Sequence, residues 1–242
     1  MRVFDIATAT MTSLLRGGLG MSVGAVAKRP TKVPEKPLEI YEFEGCPFCR
    51  KAREALTILD LEAEVRPCPK GGSRYRDELT RRGGKAQFPY LIDPNTGKEM
   101  YESTEIVRYL FAEYGAGKPP AALGGSTLAT LAVVASGMGR GTAGSFVRAS
   151  RAPLEALELY SFEASPFCRL VRETLCELEL KYLLHNVAKG SARREEFIQR
   201  SGKMQVPYLV DPNTGAQLFE SAEIIDYLNE TYALESRPAR GC

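Results

Sequence analysis

The chain has 242 residues, of which 44% are hydrophobic and 26% are charged, and its formal net charge is +2. This length is enough for two modest hydrophobic cores, whereas so small a charge argues against a nucleic-acid-binding surface. The six cysteines are scattered along the chain, which argues against a disulfide framework and favours a reducing compartment.

The chain repeats itself. Cys49 lies 119 residues before Cys168, and the nearly identical segments 89–97 and 207–215 lie 118 residues apart. Repeats of this size are domains rather than solenoid units. The predicted organisation is an N-terminal prelude, a first domain, a linker or second prelude, a second domain and a tail, at 1–36, 37–115, 116–156, 157–234 and 235–242.

The first copy predicts a strand at 38–43 and then a helix. Pro47 suits the first turn of that helix, because the N–H that proline lacks would have no partner there. Apolar residues recur at helical spacing from Cys49 to Leu59. A second strand at about 63–68 and a basic amphipathic helix follow.

The later part of each copy predicts a strand, a hairpin turn, a short strand and a last helix. In the first copy the strand is at 89–92, and the Asp-Pro-Asn-Thr-Gly turn places Gly97 where a positive φ is needed. The second copy repeats the pattern with strands at 157–162, 182–187 and 207–210. The predicted order in each domain is βαβαββα.

The sequence Cys46-Pro47-Phe48-Cys49 stands where the first helix of the first copy begins. Free N–H groups and the helix dipole favour an anion there, so the pKa of the Cys46 thiol is predicted to fall from about 8.5 into a range of roughly 3.5 to 7.5. Cys49 lies one helical turn further on and can attack a mixed disulfide at Cys46. We predict Cys46 as nucleophile and Cys49 as resolving thiol. A structural cysteine pair and a zinc site are the alternatives; zinc would need two further ligands, and no metal site is predicted.

Three motifs carry a resemblance to a known family. Residues 46–49 resemble the glutaredoxin active site, the triplets ending in Pro89 and Pro207 resemble the cis-proline segment of glutathione transferases, and Glu102-Ser103 and Glu220-Ser221 resemble the transferase motif for the γ-glutamyl end of glutathione. Both copies therefore resemble the thioredoxin-fold N-terminal domain that these two families share. The implied fold is α/β, with two tandem thioredoxin-like (βαβαββα) domains, each preceded by a helical or irregular prelude.

The resemblance also implies a ligand, glutathione, and residues that bind it. The backbone at Phe88 and Val206, each before a proline expected to be cis, would pair with the cysteinyl part of glutathione. A carboxylate from Glu102 or Glu220 would meet its ammonium group. The hydroxyl of Ser103 or Ser221, with helix-start N–H groups, would meet its carboxylate; a plain helix cap is the alternative for both serines.

The opening of the first domain, residues 38–51, and the Ser-Pro-Phe-Cys of the second are similar to those of plant and algal chloroplast proteins that carry two such domains in tandem. This similarity implies a chloroplast location, in the stroma or at the thylakoid membrane.

Three departures from the family pattern limit what can be transferred. A second copy stands where a glutathione transferase continues into an all-helical domain. Glu44, two residues before Cys46, is expected to oppose thiolate formation. Ser165 replaces the first cysteine in the second copy. It cannot form a mixed disulfide, although it resembles the catalytic hydroxyl of some transferases, so the second domain is expected to be a binding or structural domain or a transferase-like half-site.

The preludes are expected to belong to the repeat. Residues 14–20 are matched with 133–139, and Arg29 with Arg148. Because residues 119–139 carry no charge, packing between domains or subunits, lying on a membrane surface and spanning a membrane are all alternatives.

Other polar residues give weaker signals. His185, the single histidine, matches Arg66 of the first copy and is expected at the surface. The basic residues of the second predicted helix in each copy are expected to form a solvated face or an anion site; in the first copy they are Arg74, Arg76, Arg81, Arg82 and Lys85.

The predicted function is glutathione-linked thiol–disulfide exchange with glutathione or with thiol or disulfide proteins as partners. Two alternatives stay open. One is a transferase or isomerase that activates glutathione at Ser165 or Cys46. The other is a non-catalytic subunit of a plastid membrane assembly that docks through the preludes, with the oligomeric state undetermined.

Overall fold

The computed structural model describes residues 3–24, 32–115, 117–138 and 140–234. Arg29, Gly139, Cys242 and the predicted tail lie outside these ranges. The first described element is helix α1 (Val3–Leu15). The first unit follows, and its elements are β1 (Leu38–Glu42), α2 (Pro47–Ile58), β2 (Ala63–Pro67), α3 (Arg74–Gly83), β3 (Tyr90–Asp93), β4 (Lys98–Tyr101) and α4 (Ser103–Glu113).

A 3-10 turn (Ala121–Leu123) and helix α5 (Thr127–Met138) connect the first unit to the second. The elements of the second unit are β5 (Leu157–Ser161), α6 (Pro166–Glu177), β6 (Tyr182–Asn186), α7 (Arg194–Ser201), β7 (Tyr208–Asp211), β8 (Ala216–Phe219) and α8 (Ser221–Tyr232). The order βαβαββα is present in both units, so the predicted fold is confirmed.

The eight strands of the described ranges form one sheet, in the order β4-β3-β1-β2-β6-β5-β7-β8. Within each unit the first two strands are parallel, and the last two are antiparallel to their neighbours. The units join where β2 and β6 pair antiparallel, with Ala63 opposite Leu184 and Val65 opposite Tyr182. This junction was not predicted, because pairing between the edge strands of two repeats does not change the hydrophobic pattern of either repeat.

One hydrophobic cluster extends through both units. It includes Leu38 and Leu56 of the first unit and Leu157 and Leu175 of the second, all fully buried. Helix α4 packs against α2, and α8 packs against α6 in the same way. Burial of this shared apolar surface stabilises the two units together.

The prelude helices cross between the units. Helix α1 precedes the first unit but packs on α6 of the second, whereas α5 packs on α2 of the first, and α1 and α5 also contact each other. Packing between domains, one of the three arrangements that the sequence left open, is therefore present. No helix within the described ranges combines the length and the apolar character needed to cross a membrane.

The structure corrects the predicted alignment of the preludes. Arg16 forms an ion pair with Glu54, and Arg140 forms the matching pair with Glu173. Arg16 is thus equivalent to Arg140, and residues 16–20 match 140–144 instead of the predicted pairing of 14–20 with 133–139. Both sites have the sequence Arg-Gly-x-x-Gly. A constant repeat interval does not pair them, because the second prelude lies five residues further along than that interval predicts.

Helix α1 turns its polar residues inward. Thr12 and Ser13 are buried, and their hydroxyl groups accept hydrogen bonds from Arg169 and Arg50 at 3.1 and 3.3 Å. Its exposed positions are apolar, and the largest of them are Val3, Phe4, Met11, Leu14 and Leu15. The buried arginines need acceptors, and this requirement explains why the hydroxyl face of α1 packs inward.

Candidate active site

Cys46 lies just beyond the C-terminal end of β1 and occupies the N-cap position of α2. The backbone N–H of Cys49 donates to its Sγ at 3.3 Å, and Pro47 fills the first turn of the helix. The side chain is 5% exposed. A sulfur here receives the N–H groups that the helix itself cannot pair, as predicted.

The two thiols of the first unit have opposite pKa shifts. The pKa of Cys46 is lowered, chiefly because the Cys49 side chain hydrogen-bonds to it and secondarily through backbone N–H groups, against the effect of burial. The pKa of Cys49 is raised well above its usual value by burial and by the neighbouring Cys46. A readily ionised sulfur therefore lies beside one that stays protonated.

Ser165 takes the same position in the second unit. It is the N-cap of α6, and its Oγ accepts the N–H of Cys168 at 3.2 Å. It is 5% exposed, as Cys46 is. Burial raises the pKa of Cys168. The two units thus hold an oxygen and a sulfur in nearly identical surroundings.

The cis-proline segment and the start of α4 meet in the first unit. The Phe88–Pro89 peptide bond is cis, as expected from the resemblance. Gln87 donates a side-chain hydrogen bond to the exposed carboxylate of Glu102. Glu102 is the N-cap residue, with φ of 69°, and the buried Ser103 is the first residue of the helix. The helix-cap alternative for Ser103 is therefore wrong.

The second unit keeps the same arrangement. The Val206–Pro207 bond is cis, and Gln205 donates to Glu220. Glu220 has φ of 63° and precedes the buried Ser221, which begins α8 and does not cap it. The same geometry around the cis-proline and the start of the last helix is thus present in both units, although only the first unit has the first cysteine.

Comparison with known proteins identifies the family. The family model "Glutathione S-transferase, N-terminal domain" matches residues 40–120 and again residues 159–236. The chain belongs to this family.

Relatives of this chain include a glutaredoxin and a glutathione S-transferase-like protein, the two families that the motifs resemble. Glutaredoxin 3 of Escherichia coli is 30% identical over 81 residues, which are 34% of this chain and 87% of that protein. The glutathione S-transferase-like protein OpS6 of Beauveria bassiana is 35% identical over 81 residues, 34% of this chain. The match covers only 37% of the length of OpS6.

A solved structure, described as a unique trimeric glutathione transferase, TDR1 of Leishmania, aligns with 85% of this chain and 70% of its own. The TM-score is 0.29 and the sequence identity is 12%.

The residues of both candidate sites fit the chemistry of glutathione. An exposed carboxylate at Glu102 or Glu220 suits an ammonium group. The N-terminus of α4 or α8, with Ser103 or Ser221 at its start, suits a carboxylate. In the first unit, Cys46 adds a sulfur that can exchange with a disulfide.

Glu44, which was expected to oppose ionisation of Cys46, is paired with arginine side chains. Glu44 is 1% exposed, and Arg172 of the second unit donates to its two carboxylate oxygens from Nε and Nη2 at 3.0 and 3.1 Å. The reciprocal contact joins Arg53 Nε to Glu163 Oε2 at 2.8 Å. Glu44 and Glu163 are thus each paired with an arginine of the other unit as well as with one of their own, and local sequence does not reveal the pairing between units.

The pKa of Cys46 is lowered overall, and Glu42 is the carboxyl group whose negative charge opposes that shift. It is buried at the end of β1 and accepts a hydrogen bond from Arg53 Nη1. Burial raises the pKa of Glu42 to about 7, although Arg53 opposes the shift. The equivalent residue of the second unit is Ser161, so only the thiol-bearing site has this group.

Several weaker predictions are also revised. His185 is not a surface residue: it lies at the β2–β6 junction, stacks on Tyr160 at 4.4 Å and contacts Glu62 through Nδ1 at 2.6 Å. Arg74 donates to the Glu179 carbonyl at 2.6 Å, and Arg76 to the Pro69 carbonyl at 2.6 Å. These arginines therefore bind groups of the protein itself and do not form one solvated face or one anion site.

A segment that borders the loop before Cys46 was not predicted from the sequence. Residues 140–147, here called the strap, run from α5 past the loop before Cys46. Gly45 N–H donates to the Gly144 carbonyl at 3.2 Å. A Cβ at Gly45 would lie 2.0 Å from Ser145 Oγ, so glycine allows this close approach.

Proposed function

We propose that the protein is a glutathione-linked thiol–disulfide oxidoreductase, with Cys46 as the nucleophile and Cys49 as the resolving thiol. The observation that carries the proposal is the position of Cys46 at the N-cap of α2, where its Sγ accepts the Cys49 N–H at 3.3 Å. The opposite pKa shifts of the two thiols, lowered at Cys46 and raised at Cys49, agree with this position. Exchange needs a thiolate at the attacking sulfur, whereas a resolving thiol that stays protonated does not compete with it.

The chemistry proceeds by two exchanges of sulfur. The Cys46 thiolate attacks the glutathione sulfur of a mixed disulfide, the partner sulfur leaves as a thiolate and takes up a proton, and Cys46 then carries glutathione. A second glutathione thiolate attacks that bond, which releases oxidised glutathione and restores the Cys46 thiolate. With a protein disulfide as substrate, Cys49 loses its proton and attacks the mixed disulfide at Cys46. The released protein is then reduced, and Cys46 and Cys49 are oxidised to a disulfide.

We propose that the second unit binds glutathione or supports the first unit without taking part in exchange. Its cis-proline and its Glu220-Ser221 pair support binding, and the Ser165 hydroxyl rules out a mixed disulfide at that position. A transferase role at Ser165 is the alternative. The resemblance to tandem-domain plastid proteins supports a proposed chloroplast location.

The test is reduction of a glutathionylated peptide by glutathione, followed through coupled oxidation of NADPH by glutathione reductase. We expect wild type and Ser165→Ala to be active, Cys46→Ser to lose activity to background, and Cys49→Ser to retain reduction of this substrate. Cys49→Ser should lose reduction of a protein disulfide. Equal rates for wild type and Cys46→Ser would contradict the proposal.

The exposed face of α1 favours a second candidate function, docking on a membrane or a membrane-bound assembly. Phe4, Met11 and Leu14 are 73%, 54% and 72% exposed, and an apolar face of this kind is typical of interaction sites. Co-sedimentation with lipid vesicles, compared between wild type and Phe4→Lys/Leu14→Lys, tests it. Lipid binding that the double variant abolishes supports docking, and equal recovery of both proteins in the supernatant opposes it.

A further inference from the structure

The strap holds Phe146 beside the Cys46 site through backbone hydrogen bonds on both sides. Lys70 N–H donates to the Ser145 carbonyl at 2.7 Å, and Val147 N–H donates to the Lys70 carbonyl at 3.0 Å. Together with the Gly45 contact to Gly144, these bonds fix the strap between the loop before Cys46 and the end of β2. Ser145, the residue before Phe146, lies against Gly45, the residue before Cys46.

The strap and other segments of the first unit carry aromatic side chains, and two of these rings have a cation beside them. Phe146 is 51% exposed and Phe48 is 40% exposed. The Nζ of Lys70, an exposed residue, lies 5.6 Å from the Phe146 ring centroid. On the cis-proline side, the Arg76 guanidinium lies 4.7 Å from the Phe88 ring. Phe146 and Lys70, with Phe48 at the start of α2, thus offer exposed apolar surface and a cation on segments that adjoin the residues around Cys46.

The equivalent strap of the second unit has the same backbone but lacks the aromatic side chain. Ser22 pairs with Lys189 as Phe146 pairs with Lys70, and Val23 N–H donates to the Lys189 carbonyl at 2.9 Å. Ser22 stands where Phe146 stands, and Val206 stands where Phe88 stands. The backbone of the strap therefore does not require an aromatic residue at this position.

We propose that Phe146 and Lys70 form a subsite for the part of the substrate that is not glutathione. This inference rests on the proposed exchange at Cys46 and names its substrate class. The favoured substrates are glutathionylated protein segments in which an apolar side chain and a carboxylate flank the modified cysteine. The apolar side chain packs on Phe146, and the carboxylate pairs with the Lys70 ammonium. A helical domain, which supplies the second-substrate pocket in glutathione transferases, is not needed for such a subsite.

The test compares three substrates: a glutathionylated peptide with Leu and Glu beside the cysteine, one with Ser and Lys there, and the small mixed disulfide of glutathione and 2-mercaptoethanol. We expect Phe146→Ser, which installs the residue of the second unit, to lower kcat/KM for the Leu/Glu peptide about tenfold. Its activity on the small disulfide should stay within twofold of wild type. Lys70→Glu should reverse the preference between the two peptides, and Leu154→Ser, at a 98% exposed position, should change nothing.

A binding measurement separates this inference from the proposed function. The Leu/Glu peptide with serine in place of the modified cysteine is titrated by fluorescence anisotropy against wild type and Phe146→Ser, which needs no exchange chemistry. Weaker binding to the variant supports the subsite even if no disulfide is reduced. Equal binding overturns the subsite, as does an equal loss of activity on all three substrates, which would make the strap merely structural.

Discussion

The two units of this protein share a backbone and differ in the side chains around one helix terminus. Both have a cis-proline, a glutamate at positive φ and a buried serine at the start of the last helix. The first unit alone has a thiol at the N-cap, a buried carboxyl behind it and an aromatic residue on the strap. The groups suited to glutathione are therefore duplicated, whereas the groups suited to exchange are not.

The units also differ from ordinary tandem domains in how they are joined. Arg53 and Arg172 each contact a glutamate of the other unit, and the sheet runs through both. This reciprocal arrangement makes each site dependent on the other half of the chain.

The largest expected effect comes from giving the second unit its missing sulfur. Ser165→Cys in a Cys46→Ser background should restore alkylation by iodoacetamide at neutral pH, because the Cys168 N–H that now donates to Ser165 Oγ at 3.2 Å would donate to the new sulfur. Since Ser161 stands in place of Glu42, the pKa of this thiol should be lower than that of Cys46. The rate of alkylation against pH measures both values.

If the new thiol titrates like an ordinary cysteine, near 8.5, then the N-cap geometry is not what lowers the pKa. Cys46→Ser alone is the matched control, because it retains Cys168, whose pKa is raised.

Removing an arginine that pairs with a glutamate of the other unit should lower the stability of both units at once. Arg53→Met leaves Glu163 and Glu44 buried beside one arginine fewer, and removal of one member of a buried ion pair costs about 3–5 kcal/mol. Urea unfolding followed by circular dichroism measures this loss. The control is Arg82→Met, which removes a partly exposed pair with Glu99 and should cost at most about 1 kcal/mol.

The same experiment tests whether the units unfold together. One transition is expected for wild type and for Arg53→Met, because the hydrophobic cluster and the sheet are shared. Two separate transitions would contradict this view of the junction.

Glu42 gives a pH-dependent difference between the units. Its pKa in the folded protein, about 7, is above its ordinary value of 4.5. The folded state therefore binds more protons than the unfolded state between these values, and stability should fall as pH rises from about 4.5 to 7. In Glu42→Gln this decrease should be absent. The charged groups acting on Glu42 are Arg53, Glu44, Glu163 and Arg172.

The same variant should lower the pKa of Cys46, because the ionised Glu42 opposes the thiolate. Alkylation against pH measures this shift. An unchanged alkylation profile would show that the Glu42 charge does not act on Cys46. Ser161→Ala is the matched change in the second unit and should leave Cys46 unaffected.

Local sequence was sufficient for the fold of each unit and for most of the candidate site. Pro47 at a helix start, the Asp-Pro-Asn-Thr-Gly turns and the motif before each cis-proline are short-range signals, and the structure places each as predicted. The sequence did not predict the β2–β6 junction, the pairing of Glu44 with Arg172 or the strap beside Gly45. These features join residues that are distant in the sequence. Local periodicity does not show which distant charge or strand edge a residue will contact.

The smallest expected effects come from the matched hairpin glycines, Gly97 and Gly215. Both have positive φ, 71° and 79°, and neither has an atom within 4 Å of the position of an added Cβ. Substitution by alanine should therefore cost only backbone strain, about 1 kcal/mol at each site. The hairpins lie at opposite edges of the sheet, so the costs should add in the double variant. Because the units are expected to unfold as one, Gly97→Ala and Gly215→Ala should shift the same single urea transition by equal amounts. If unfolding occurred in two transitions and a variant shifted only one of them, the second unit would be less stable than the continuous sheet implies.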